Sequence, residues 1–165
     1  MTAGHVVIVG PMGSGKTTVG RRVAEASDRR FLDSDSQIEA RYGSTARRLA
    51  ADHGVDWLHR VEAGALREAL AHEEPAVVAA AASTCDLPEI ESLLEGVVVV
   101  LLTGDSQRLA VRAEDAEHRR PMDLARYAEL ADFRHRRLLP TADLVVDVTR
   151  RSPDEVVEQI LNTII

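Results

Sequence analysis

Cysteine is nearly absent. Cys85 stands alone among 165 residues, which excludes an intramolecular disulfide and fits a reducing compartment. A single thiol of this kind reads as a small packed hydrophobe rather than a nucleophile. Positive charge is also in short supply: 20 Lys and Arg against 27 Asp and Glu give a formal net charge of −7. That balance argues against a nucleic-acid binder relying on bulk attraction to phosphate, though it leaves room for a local basic site. Long hydrophobic runs are missing. The longest, Ala76 to Ala82 and Val97 to Leu102, cannot span a bilayer, so no membrane partner is expected. Both read instead as buried strands of a parallel sheet. Met1 to His5 carries no basic stretch, so no secretion signal is expected and the cytoplasm is the expected location. His53, His72, His118 and His135 have no metal-ligand spacing with each other or with cysteine, which argues against a zinc centre. No repeat, low-complexity tract or linker divides the chain.

What is present begins with Gly10-Pro11-Met12-Gly13-Ser14-Gly15-Lys16-Thr17. The run His5 to Val9 precedes it, and a helical pattern through Thr18 to Ala26 follows. Strand, glycine-rich loop and helix in that order, with the spacing G-x-x-x-x-G-K-[ST], describe a phosphate-binding P-loop. The glycines let successive N–H groups of Met12 to Thr18 converge on one point, and the helix adds its positive end. Lys16 is placed to reach the β- and γ-phosphates of ATP, and Thr17 to bind Mg²⁺.

Strands and helices alternate through the rest of the chain. Strands are expected at 5–9, 31–33, 76–82, 97–102 and 144–148. Helices are expected at 15–27, 34–42, 45–53, 56–73, 86–95, 105–113, 123–138 and from Ser152 onward. Asp86-Leu87-Pro88-Glu89 and Ser152-Pro153-Asp154-Glu155 both have the form of capping boxes. Trp57 opens an amphipathic helix and reads as packing rather than a stacking platform. The pattern predicts a single α/β domain whose five-stranded parallel sheet is covered on both faces.

Two further groups carry chemistry. Asp33-Ser34-Asp35 closes the second strand, at the sheet edge where ligands of open α/β folds collect. One carboxylate there can help hold Mg²⁺, and the other can orient or deprotonate an acceptor hydroxyl. The same pattern is also an ordinary helix cap. Arg119-Arg120-Pro121 lies in a charged loop over 114–122. It reads either as a solvated turn or as an arginine-bearing lid that neutralises a transferring phosphoryl group and excludes water.

Taken together, the P-loop, Phe31-Leu32-Asp33-Ser34-Asp35, Ile38-Glu39-Ala40-Arg41-Tyr42-Gly43, Leu58-His59-Arg60-Val61-Glu62, Arg119-Arg120-Pro121 and Arg150-Arg151-Ser152-Pro153 resemble shikimate kinase, a P-loop fold of the nucleoside-monophosphate-kinase group. The resemblance implies transfer of phosphate from ATP, with Mg²⁺, to the 3-hydroxyl of shikimate. It further implies a mobile lid at about 112–123 and an acceptor-binding helical segment at about 34–73. By position, Lys16, Asp35 and Arg120 take the catalytic roles. Thr17 and Asp33 serve the metal, and Arg112, Arg151 and Pro153 flank the nucleotide. Asp35, His59, Ala80, Ala81, Ala82, Arg120 and Arg134 face the acceptor.

The chain departs from the family pattern at three places. Ala80-Ala81-Ala82 replaces a glycine run, and each methyl restricts φ and fills space near the acceptor. His59 replaces an arginine that pairs with the acceptor's carboxylate, and histidine cannot make the bidentate fork. Arg136-Arg137-Leu138 stands where the family has Pro-Leu-Tyr. The nucleotide half is therefore expected intact and the acceptor half rebuilt. The alternatives are a kinase for another sugar acid, polyol or cyclitol, or a nucleotide-binding module without transferase activity. The expected partner is a small-molecule hydroxyl acceptor rather than a nucleic acid, bound by a monomer.

Overall fold

Five short strands pair in parallel in the order β2–β3–β1–β4–β5. They are β1 (Val6–Val9), β2 (Arg30–Asp33), β3 (Ala76–Ala79), β4 (Val98–Thr103) and β5 (Leu144–Asp147). The computed structural model describes residues 4–114 and 123–164. β1 lies at the centre, in register with β3 at Val7↔Val78 and with β4 at Val7↔Val99. Every residue of β1 and β3 is buried, as expected of a parallel sheet sandwiched between helices.

Alternate side chains of β1 serve opposite layers. Val6 and Ile8 join a core built from α1 (Lys16–Ala26), α6 (Ser106–Glu114), α7 (Leu124–Leu138) and α8 (Pro153–Ile164). Val7 and Val9 face the other way, onto α4 (Val55–Leu70), the short α5 (Ile90–Leu93) and the end of α7. Each such side chain fully removed from water contributes about 1.5–3 kcal/mol before entropy is charged against it. A third cluster joins α2 (Ser34–Tyr42) and α3 (Ala46–His53) to α4 through Ile38, Leu49 and Leu58. Trp57 packs against that cluster with His53 stacked on it, ring centroids 4.3 Å apart, so it is a packing residue as its place on the helix suggested. α2, α3 and α4 together form the expected helical segment after β2.

Polar residues fix where most helices start. Asp33, Thr45, Asp105 and Asp123 accept from backbone N–H groups three residues on. Ser152 and Glu155 make the reciprocal bonds of a capping box. The box expected at Asp86 to Glu89 does not form. The chain leaves β3 after Ala79 and makes a 3-10 turn over Ala82–Asp86. The Ile90 N–H then bonds the Leu87 carbonyl, while the Asp86 carboxylate turns to Arg134. A charged partner outcompetes a backbone amide for that carboxylate. The third strand is accordingly shorter than its run of apolar residues, and α5 shorter than expected.

Arg119, Arg120, Pro121 and most of the expected lid lie outside the described residues. Of that stretch, Arg112 to Glu114 close α6 and Asp123 caps α7.

Candidate active site

The loop between β1 and α1 holds three glycines of positive φ, Gly10, Gly13 and Gly15. Gly13 has φ +82°, and a Cβ there would meet the Leu109 carbonyl oxygen of α6 at 2.3 Å. Gly15 has φ +89° and opens α1. No side chain caps α1, and its first turn holds no carboxylate. The amides at the positive end of this helix are therefore left without a side-chain cap, which suits them to a phosphate. Lys16 is buried, and its Nζ donates to the carbonyls of Gly10 at 2.9 Å and Pro11 at 3.0 Å. Tyr127, from α7, donates its hydroxyl to the Met12 carbonyl at 2.5 Å and ties the far side of the loop to the core.

The carboxyl end of β2 meets this loop. Thr17 Oγ1 donates to Asp33 Oδ2 at 2.6 Å, while Asp33 Oδ1 accepts the Ser36 amide at 2.9 Å. Asp33 thus serves as helix cap and as partner of the P-loop threonine, with one oxygen for each. Hydroxyl and buried carboxylate together make a hard-oxygen pair of the kind Mg²⁺ takes. Asp35, in the first turn of α2 and half-buried, makes no side-chain hydrogen bond among the described residues. Its carboxylate can therefore accept from an incoming hydroxyl.

On the other flank, Arg112, Arg151 and Pro153 line a cavity of roughly 240 Å³ with Gly13, Ser14, Gly15 and Thr18. The structure therefore brings Arg112, Arg151 and Pro153, expected around the nucleotide, to one side of the P-loop, although they come from α6 and from the segment that leads into α8.

Of the residues expected at the acceptor, His59, Ala80 to Ala82 and Arg134 lie on α4, on α7 and in the turn after β3, which pack together. Ala80, Ala81 and Ala82 are buried. None has positive φ, since Asp28 is the one non-glycine with that conformation among the described residues. The alanine run therefore costs no backbone strain, and its consequence is confined to the space its methyls fill. His59 is half-buried on α4, and Arg60, about 100° round the helix, is exposed.

Several polar contacts here were not legible in advance. Ser83 donates to Glu62, which is buried on α4 one turn from His59. Arg134 makes a bidentate pair with Asp86, Nε to Oδ1 at 2.9 Å and Nη2 to Oδ2 at 2.7 Å. Arg137, one turn on, donates to the Leu87 carbonyl at 2.6 Å. Its place in the departure from Pro-Leu-Tyr is thus explained as a strap across the 86–88 segment. Burial opposes the charge on Arg134, but the hydrogen bonds and charge of Asp86, with a further contribution from Glu62, outweigh it and raise its pKa above the ordinary value. Nearby Cys85 is buried, and desolvation pushes its thiol up to about 11. That suits the packed hydrophobe expected of it, not a nucleophile.

Among the described residues no helix is long and apolar enough to cross a membrane. A sequence model of the shikimate kinase family matches residues 12–165. Shikimate kinase of Symbiobacterium thermophilum is 32% identical over 163 residues, covering 95% of this chain and 94% of that protein. Shikimate kinase of Thioalkalivibrio sulfidiphilus is 33% identical over 163 residues, covering 94% of this chain and 84% of that protein. Among solved structures, shikimate kinase from Acinetobacter baumannii in complex with shikimate superposes with a TM-score of 0.88 at 25% identity, over 98% of this chain and 92% of that one.

Proposed function

The chain belongs to the shikimate kinase family, and on that premise we propose that it transfers the γ-phosphoryl group of ATP to the 3-hydroxyl of shikimate. It is a P-loop small-molecule kinase. The observation that carries the reading is the contact between Thr17 and Asp33 beside the uncapped start of α1, with Asp35 two residues further on. Phosphate-binding and acceptor-orienting groups thereby share one edge of the sheet.

The reaction forms a bond between the acceptor oxygen and the γ-phosphorus and breaks the bond to the bridging oxygen of ADP. Little covalent work falls to the protein, which acts by positioning and by neutralising charge. Lys16 and the loop amides would hold the phosphates. Thr17 and Asp33 fit Mg²⁺, which when bound neutralises phosphate charge. Asp35 would accept a hydrogen bond from the attacking hydroxyl and fix its direction, taking or passing on the proton as the bond forms. Arg120, outside the described residues, would cover the transferring group. Arg134 and His59 would face the acceptor's carboxylate, and the methyls of Ala80 to Ala82 its ring. Arg112, Arg151 and Pro153 would flank the adenine. The enzyme would work as a cytoplasmic monomer.

ADP release measured with shikimate tests the reading. Purified protein should turn over shikimate in the presence of Mg²⁺-ATP, and Asp35→Ala should lose about 10²–10⁴-fold in rate. Unaltered turnover in Asp35→Ala would remove that residue from the role. Turnover of other cyclitols or sugar acids, but not shikimate, would overturn the acceptor assignment.

A further inference from the structure

Arg134, packed beside the turn after β3, is already engaged. Arg134 is largely buried, its side chain 12% exposed, and both donors of one fork are committed to Asp86, itself 34% exposed. An arriving carboxylate must displace Asp86 or bind beside it. The second course puts two carboxylates on one guanidinium, with the carboxyl of Glu62 adding its charge from α4. Like charges so placed disfavour the arriving anion.

The pair is not the strap that holds this segment in place. Arg137 grips the Leu87 carbonyl from the same helix, and Arg67 of α4 pairs with Glu89. Asp86 can therefore be neutralised without freeing the 86–89 segment.

We propose that Asp86 is a specificity-determining residue, which sequesters Arg134 and so weakens the enzyme's grip on an acceptor's carboxylate. The inference rests on the acceptor reading above and deepens it. The chain should bind shikimate weakly and discriminate little between the acid and an uncharged acceptor of the same shape. The acceptor class it accommodates accordingly extends to neutral cyclohexene polyols.

The test compares wild type, Asp86→Asn and Asp86→Ser, each with shikimate and with its uncharged methyl ester. Asparagine keeps the shape and one acceptor for Arg134. Serine removes most of the side chain and supplies a second reading should the first variant fold poorly, as judged by thermal melting. The KM for shikimate should fall about tenfold, the equivalent of one charge-assisted hydrogen bond regained. The KM for the ester, the KM for ATP and kcat should stay within about twofold, since none depends on pairing with an anion. An unchanged or raised shikimate KM in the folded variants overturns the proposal, and so does an equal fall for the ester. Failure of all three proteins to phosphorylate either acceptor, while each still binds ATP, refutes the acceptor reading itself and the inference with it.

Discussion

Asp33 offers the sharpest separation of structure from chemistry, because its two oxygens do different things. Oδ1 caps α2 at Ser36, and Oδ2 receives the Thr17 hydroxyl at 2.6 Å. Alanine at this position loses both. A lost N-cap costs about 1 kcal/mol, and a lost hydrogen bond to a charged acceptor about 1.5–3 kcal/mol. Taken together, Asp33→Ala should be destabilised by about 3 kcal/mol, which in a domain of this size lowers the melting temperature by about 6–12 °C. Asparagine caps a helix as well as aspartate does, and its amide can donate to Thr17 in place of accepting. Asp33→Asn should therefore melt within about 2–4 °C of wild type. The charge is nevertheless gone. If Asp33 serves the metal beside Thr17, the asparagine variant should lose about 10–100-fold in Mg²⁺-dependent rate or metal affinity. Circular-dichroism melts read the first quantity, and steady-state rates across a Mg²⁺ titration read the second. Asp33→Asn melting as low as Asp33→Ala would refute the capping argument. Wild-type rate and Mg²⁺ dependence in Asp33→Asn would refute the metal role.

Two more perturbations follow from the structure. Gly13→Ala and Gly15→Ala share a left-handed backbone, which costs a non-glycine residue about 1–2 kcal/mol. Only at Gly13 does the new methyl also strike backbone, the Leu109 carbonyl at 2.3 Å against a nearest contact of 3.9 Å at Gly15. Melting should rank Gly13→Ala well below Gly15→Ala, and equal melting temperatures would show that α6 yields freely. Acid should weaken the fold through carboxyls that are better stabilised folded than unfolded. Hydrogen bonding with Arg41 and Ser152 lowers the pKa of Glu68 and Glu155 from the ordinary 4.5. A lowered folded pKa adds stability above the unfolded value and loses it as pH falls through the folded one. Stability should be flat at neutral pH and decline below about 4.5. Salt should shrink the Glu68 share of that loss, because Glu68 and Arg41 pair on the exposed surface. A decline beginning near pH 6 would point to other groups.

The chain's punctuation carried most of the architecture. Mostly apolar runs of three to seven residues, each followed by a helical period, fix an alternating α/β pattern, and short crossovers leave few ways to arrange it. The Ser152 cap was legible because its partner, Glu155, lies only three residues on. The Asp86 box misled because a cap competes with any cation that the fold delivers. That cation, Arg134, lies 48 positions away in sequence, beyond the reach of local spacing.

Sequence by itself determined the phosphate-binding loop, the succession of strands and helices, and the family, since these depend on local spacing and on which residues tolerate which backbone. Tertiary structure alone decided that Asp33 divides its oxygens between a helix and Thr17, that the alanines after β3 sit without strain, and that Asp86 holds Arg134. Each of these depends on which distant groups share a solvent-poor space, where a charge must find a partner.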